Sequence, residues 1–282
     1  MDKINTLMLE KVDKYILKKI KSLFFLFCFF VSINVYSISI CSWNIQDIGK
    51  SKDDFELEFI SKTIKDFDVV AIQEVVAGEG GAKAIALLAD KLNRTGNKWD
   101  YVVSDPTSGS THKSERYAFL WKTASIKIIG KPFLEKKFAN EIDREPFFCT
   151  FKSKDVVFTL VNFHAITKSK HPETEIKYFK FLPEEYPDLN LIFCGDFNCP
   201  QSHSVFNSLK KMDYKSALVG QKTSLRQKCI DNDCLASEYD NIFYSSLKIK
   251  IVKAGIIKFF TSFLDIKEAR KVSDHCPIFM EF

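Results

Sequence analysis

At 282 residues the chain is long enough for one large α/β domain with a full core, and no repeat, low-complexity tract or linker marks a second. Its formal charge of +5 falls to +2 once residues 1–37 are set aside, because that segment holds six of the 41 basic and three of the 36 acidic residues. A body so near neutrality excludes bulk charge as the means of holding a polyanion, so any nucleic-acid contact must come from a local patch.

The chain opens with a basic stretch ending in Lys18-Lys19-Ile20-Lys21-Ser22, followed by an apolar run over 23–33. That order is the n-region and h-region of a signal segment, too short to span a bilayer comfortably. Val35-Tyr36-Ser37 offers acceptable cleavage residues, and removal after Ser37 is expected. A buried core helix or an uncleaved anchor is the alternative, and no lipobox precedes Cys28 or Cys41. Residues 38–282 then form the catalytic domain.

Short apolar runs rich in β-branched and aromatic residues predict strands over 38–44, 68–73, 99–104, 116–121, 126–130, 147–152, 156–162, 190–194, 240–244, 249–253 and 276–282. Amphipathic stretches predict helices over 54–66, 80–94, 173–185 and 203–211. Some strand pairs are joined by short turns and others by helices, which argues for two packed mixed β-sheets flanked by helices. The first and last strands bracket the domain, so the chain ends should meet in the core. Export leaves seven cysteines, an odd number that requires a free thiol. Cys41, Cys149, Cys194 and Cys276 lie in strand-like runs and read as buried thiols. Cys199, Cys229 and Cys234 lie in loop-like sequence, so a bridge from Cys199 to one of the other two is expected. No Cys/His spacing suits zinc.

Six polar clusters end apolar runs: Trp43-Asn44, Gln73-Glu74, Glu115-Arg116-Tyr117, Asn162-Phe163-His164, Gly195-Asp196-Phe197-Asn198 and Ser273-Asp274-His275. Singly, each has an ordinary account, since Asp and Asn after a strand form turns and Gly195 permits one. Together they supply carboxylates, amides and two histidines at the strand ends, where a sheet holds catalytic groups rigidly. Glu74, Asp196, Asn198, Asp274 and Asn44 make an oxygen inventory suited to a hard divalent cation. His164 and His275 beside carboxylates suit phosphodiester hydrolysis, where one group takes a proton from water and another neutralises the leaving alkoxide. His112, His171 and His203 sit in polar loop sequence and read as surface.

The ordered set WN, QE, ERY, NxH, GDFN and SDH resembles the endonuclease/exonuclease/phosphatase superfamily from residue 39 to the C-terminus. Within it, Tyr101-Val102-Val103-Ser104-Asp105-Pro106, Glu115-Arg116-Tyr117-Ala118-Phe119-Leu120, Arg144-Glu145-Pro146 and Tyr239-Asp240-Asn241-Ile242 are similar to segments of the deoxyribonuclease I group. The resemblance implies an α+β four-layer sandwich and Mg²⁺, with Ca²⁺ or Mn²⁺ as further candidates. It implies that Glu74 and Asn44 bind metal or orient its water with Asp274 contributing, and that Asp196 and Asn198 position metal and phosphate. It pairs His164 with Glu115 and His275 with Asp240, and sends Arg144 to a phosphate oxygen. Three departures bear on DNA grip: Gln46 and Val76 stand where the group carries arginines, and Lys113 where it carries a tyrosine. The group's disulfide-stapled calcium loop is replaced by 135–143, without cysteine.

The expected function is a secreted or periplasmic endonuclease acting on DNA as a monomer, with Lys113 as a candidate phosphate contact and with membrane contact only through an uncleaved leader. A sphingomyelinase-type phospholipase C is the competing enzyme class, with 256–264 as the one segment able to dock on a membrane. A non-enzymatic binding module on the same scaffold is the third reading.

Overall fold

Alternation along the central strands decides the architecture. In β1 (Ser39–Ile48) Ile40 faces one core while Cys41, Trp43 and Ile45 face another. In β2 (Val69–Val76) Val69 and Ala71 oppose Val70 and Ile72 in the same way. A strand apolar on both faces has to lie between two covering layers. The computed structural model describes residues 37–108 and 114–282, with 15, 16, 18 and 19. The leader expectation, His112 and Lys113 therefore lie largely or wholly outside the described residues. The chain divides into two units, Met1–Ser37 and Ile38–Phe282, and the second holds the fold and the site.

β3 (Trp99–Val103), β4 (Glu115–Lys122), β13 (Lys253–Ile256) and β14 (Ile278–Glu281) join β1 and β2 in a six-stranded sheet of order β13-β14-β1-β2-β4-β3. β5 (Lys127–Leu134), β6 (Phe147–Ser153), β7 (Val156–His164), β8 (Leu191–Asp196), β9 (Tyr214–Ser216) and β12 (Asp240–Ser245) form the second, in the order β5-β6-β7-β8-β12-β9. In each sheet one parallel pair, β1/β2 or β7/β8, sits among antiparallel neighbours. The two sheets pack face to face through Phe119, Phe147, Phe151, Phe158 and Leu160. On one outer face lie α1 (Asp54–Ile64), α2 (Glu79–Asn93) and α3 (Ile266–Val272). α1 begins in a capping box, with Asp53 accepting from the Glu56 amide at 2.8 Å and Glu56 from the Asp53 amide at 2.9 Å. Leu57, Ile60 and Ile64 give α1 its buried stripe. The fold is the expected pair of mixed sheets with flanking helices, and its ends meet: the Ile38 amide donates to the Phe282 carbonyl at 2.8 Å.

The differences are local. The helix expected over 173–185 is two single α-turns separated by a 3₁₀ turn at Lys177–Phe181; Phe179 and Leu182 are buried in the outer core, and Pro183 lacks the amide donor that a continuous helix would need there. The helix expected over 203–211 is likewise a 3₁₀ turn, Ser204–Phe206, followed by Asn207–Lys210. The last but one strand lies at Lys253–Ile256 and not at 249–253. Within the 256–264 segment Phe259 is 3% exposed and packs on Trp43 with ring centroids 5.3 Å apart, while Leu264 stands fully exposed.

The disulfide expectation is corrected. Cys229 is bonded to Cys234, and Cys199 is a buried free thiol. β10 (Leu225–Ile230) and β11 (Asp233–Leu235) form a hairpin whose two turn residues, Asp231 and Asn232, take φ of 48° and 64°. Those angles belong to the twisted two-residue hairpin turn, which Asp-Asn can adopt. It brings the Cα atoms of Cys229 and Cys234 to 4.2 Å. Cys199 follows β8 into the outer core with Phe206, away from the hairpin tip.

Candidate active site

Both parallel pairs end at one edge of the sandwich. Asn44 and Glu74 lie at the C-terminal ends of β1 and β2, and His164 and Asp196 at those of β7 and β8, paired in register. Glu115 begins β4 and Asp240 begins β12, each strand antiparallel to its neighbour, so both start at that same edge. His275 stands just before β14, beside β1. Carboxyl ends of parallel strands are where open α/β sheets bind ligands. Here they line a cleft of about 580 Å³.

The backbone is bent to deliver these groups. The β1–β2 register shifts between Asn44 and Ile48, and the β2–β4 register between Ile72 and Val75. At those irregularities Asp47 and Glu74 adopt φ of 48° and 59°, and across the cleft Asn198 adopts 48°. Left-handed non-glycine backbone costs on the order of 1–3 kcal/mol per residue and gathers at functional sites. The bulge lets the Asp47 amide donate to Glu74 Oε2 at 3.1 Å. Gly195 has φ 138°, and a Cβ there would lie 1.9 Å from the Phe163 carbonyl oxygen, so only glycine lets β8 pass β7 and present Asp196.

Two histidine–carboxylate pairs face each other. His164 Nδ1 lies 3.0 Å from both oxygens of Glu115, and His275 Nδ1 lies 2.7 Å from Asp240 Oδ2. Each Nε2 then lies 3.6 Å from Asp196 Oδ2. Burial would push the imidazole pKa values down, but Glu115 for His164, and Asp240 with Asp196 for His275, override it. The net shift is upward for both and larger for His275. Burial raises the Asp196 carboxyl, yet His275 and His164 pull it below its ordinary range. Glu115 is lowered in the same way against its burial by His164 and Arg144. Burial and the nearby Asp196 leave Asp240 raised, despite His275.

Arg144 serves the interior first. Its Nε donates to the His164 carbonyl at 3.0 Å, Nη1 to Glu115 Oε2 at 3.1 Å, and Nη2 to the Ala165 carbonyl. Of five N–H groups, two stay available to the cleft, which Arg144 lines. Asn198 donates through its amide to the Ala165 carbonyl at 3.1 Å and through its backbone to Asp196 Oδ1 at 2.8 Å. Asp274 lines the cleft near its rim and faces Arg270 at 3.4 Å.

An oxygen-rich corner adjoins the histidines. Asn44 donates from Nδ2 to Glu74 Oε1 at 3.0 Å and to Asp196 Oδ2 at 3.1 Å, while its buried Oδ1 has no hydrogen-bond partner among the described residues. A buried acceptor without a donor is costly. Burial also raises the pKa of the neighbouring Glu74. Glu74 and Asp196 place two carboxylates in one corner, a donor set that fits a hard divalent cation; Asn44 turns its Nδ2 toward them, so its Oδ1 would join the set only with the amide turned over. Asp196, Asp240 and His275 also bring three donor atoms within 4.8 Å. Asp240 Oδ2 is already engaged by His275 and by Thr223 Oγ1 at 2.6 Å, so that trio reads better as an oriented imidazole than as a cation site.

Several supporting residues lay outside the expected site. Tyr117 accepts the His164 amide on its hydroxyl at 3.1 Å, giving the third letter of ERY a role. Gln73 donates to Asn162 Oδ1 at 2.5 Å, joining the two sheets beneath the cleft. Trp43 Nε1 donates to the His275 carbonyl at 2.7 Å, and Ser273 Oγ to the Asn44 carbonyl at 2.6 Å. Each belongs to a polar cluster visible in the sequence. Thr223 carried no such signal: it lies in a loop, and only folding sets it beneath Asp240. Tyr239, tilted 26° to the His275 ring with centroids 6.4 Å apart, closes that wall.

A buried carboxylate flanked by two oriented imidazoles, beside a corner of hard oxygen donors, is suited to hydrolysing phosphoesters. The chain belongs to the Endonuclease/Exonuclease/phosphatase family, which it matches over residues 41–275, and it is a hydrolase of phosphoester bonds. It is 28% identical over 265 residues, 87% of this chain and 71% of the relative, to a protein named deoxyribonuclease from Thioalkalivibrio sp. (strain K90mix). Solved structures share the fold, among them the following two. The mannosyl-6-phosphatase of Bacteroides thetaiotaomicron VPI-5482 superposes with a TM-score of 0.60 at 17% identity, covering 86% of this chain and 98% of that one. The human Nocturnin catalytic domain gives 0.59 at 15% identity, covering 87% and 93%.

Proposed function

We propose that the chain is an exported, divalent-metal-dependent endonuclease that hydrolyses DNA. The observation that carries the chemistry is the convergence of His164 and His275 on Asp196 Oδ2. One imidazole receives the proton of the attacking water while the other gives a proton to the leaving oxygen. Glu115 and Asp240 hold the rings and their charge, and Asn198 with the outward N–H groups of Arg144 steadies the phosphate oxygens. A divalent cation held by Glu74 and Asn44, with Asp274 near the rim, would supply Lewis acidity toward the phosphate. Mg²⁺ suits such a set best, since it takes one or two protein carboxylates and keeps several waters.

DNA as the substrate is supported by the relative's name and by the ERY and REP segments. The inward packing of Phe259 weighs against a membrane-docking lipase. Export is supported by the order of the basic and apolar stretches within residues 1–33. Gln46 and Val76 line the cleft without charge, so single strands should be cut nearly as well as duplex. The test is hydrolysis of plasmid DNA, RNA, sphingomyelin and bis-p-nitrophenyl phosphate with Mg²⁺, Ca²⁺, Mn²⁺ or chelator. Metal-dependent nicking of plasmid is the expected result; turnover of sphingomyelin alone would overturn it.

A further inference from the structure

We propose that Lys170 grips the substrate chain beyond the scissile phosphate, so that the chain leaves the catalytic centre across the β7 side of the cleft. This rests on the reading of a nucleic acid as substrate. The β1–β2 side offers a polyanion little: Gln46, Val76 and Ala77 are neutral and Asp47 is an anion. Two lysines stand near that side but outside the cleft lining. The Lys52 ammonium donates to the Lys271 carbonyl at 2.6 Å, and Lys50 lies against Gly80 in a neighbouring concavity bordered by Asp47 and Val76.

On the other side the charge is presented. Among the described lining residues Arg144 and Lys170 are the lysine and arginine cations, and Arg144 is largely committed inward. Lys170 ends the 3₁₀ turn Lys168–Lys170 and is exposed, and no hydrogen bond or ion pair engages its ammonium among the described residues. It lines both the main cleft and an adjoining concavity of about 330 Å³. Asp143 lines both the cleft and that second space, and the carboxylates of Glu141 and Glu175 within the latter would repel a phosphate from it. Lys170 therefore meets the anionic link at its mouth, with sugar and base beyond.

The loop that carries it is anchored. Buried Glu175 accepts from the Ile166 amide at 2.6 Å and from the Asp143 amide at 3.1 Å, binding the two loops together from beneath. His171, in the left-handed region at φ 62°, closes the turn before Pro172. Ile166 is two residues from His164, so the ammonium's anchor is fixed relative to the reacting centre.

The test compares K170A, K170R and K50A on a single-stranded oligonucleotide and on bis-p-nitrophenyl phosphate. With K170A the oligonucleotide KM should rise roughly three- to tenfold, and the log–log salt slope of binding should flatten by about one. kcat/KM on the oligonucleotide should fall relative to that on the small diester. K170R should recover most of the loss, and K50A should match the wild type. Unchanged KM and salt slope in K170A, or the loss appearing in K50A instead, overturns the proposed path. A wild-type enzyme that turns over the small diester but no nucleic acid would overturn the substrate reading itself, and this proposal with it.

Discussion

His164 and His275 meet on one atom, each Nε2 lying 3.6 Å from Asp196 Oδ2 although the two rings hang from different sheets. Groups that share one charged partner and one step should not contribute independently. His164→Ala and His275→Ala are each expected to lower kcat by roughly two or more orders of magnitude, and the double variant only slightly further. Steady-state rates, with circular dichroism to verify folding, decide it; fully additive losses would place the imidazoles in separate steps.

The Asn44–Glu74 corner predicts a binding signature separable from turnover. Millimolar Mg²⁺ should raise the Tm of the wild type, because a ligand that binds only the folded state stabilises it. Glu74→Gln and Asn44→Ala should lose most of that rise, and chelation should abolish hydrolysis in the wild type. An equal rise in all three proteins would move the cation elsewhere.

Gly195→Ala would drive a methyl group into the Phe163 carbonyl at a backbone angle that alanine avoids. A destabilisation of about 2–4 kcal/mol follows from such steric and backbone strain. The midpoint of urea unfolding reads it directly, and a shift below one-quarter of that range would mean that β8 can move away cheaply.

In chelator, the raised pKa values of His164 and His275 make stability depend on pH. An imidazole whose pKa is higher folded than unfolded contributes stabilisation that is complete below its ordinary value of 6.5 and is lost as pH climbs through the folded value. Tm should therefore fall on going from about pH 6 to about pH 9, and less steeply in His275→Asn. The same slope in variant and wild type would assign the dependence to other groups.

Closing the short Cys229–Cys234 ring should stabilise the fold by about 2 kcal/mol in the chain-entropy model. Its hairpin runs from Thr223, under Asp240, to Tyr239, beside His275. Cys229→Ser is expected to lower Tm by a few degrees and to make it insensitive to dithiothreitol; an unchanged Tm with full dithiothreitol sensitivity would point to a different bridge.

Local chemistry made much of this legible in the sequence. Continuous apolar runs marked strands covered on both faces, and polar residues at their ends marked the cleft, because a sheet places strand ends together whatever its connections. Glu74, Glu115, His164, Asp196 and His275 could be named that way, and Asp240 only through the resemblance carried by Tyr239-Asp240-Asn241-Ile242. Tertiary structure alone decided the rest. Whether Cys199 or Cys234 lies near Cys229 depends on where two strands travel, and hydropathy does not encode that path. Thr223 became a partner of Asp240 only because the hairpin returns its base to β12. Arg144, readable as a phosphate ligand, spends three donors on Glu115 and two carbonyls, since a buried guanidinium must satisfy its neighbours before it can reach outward. Sequence supplies the inventory of charges; the distances that turn two histidines and an aspartate into one unit exist only after strands far apart in the chain have packed.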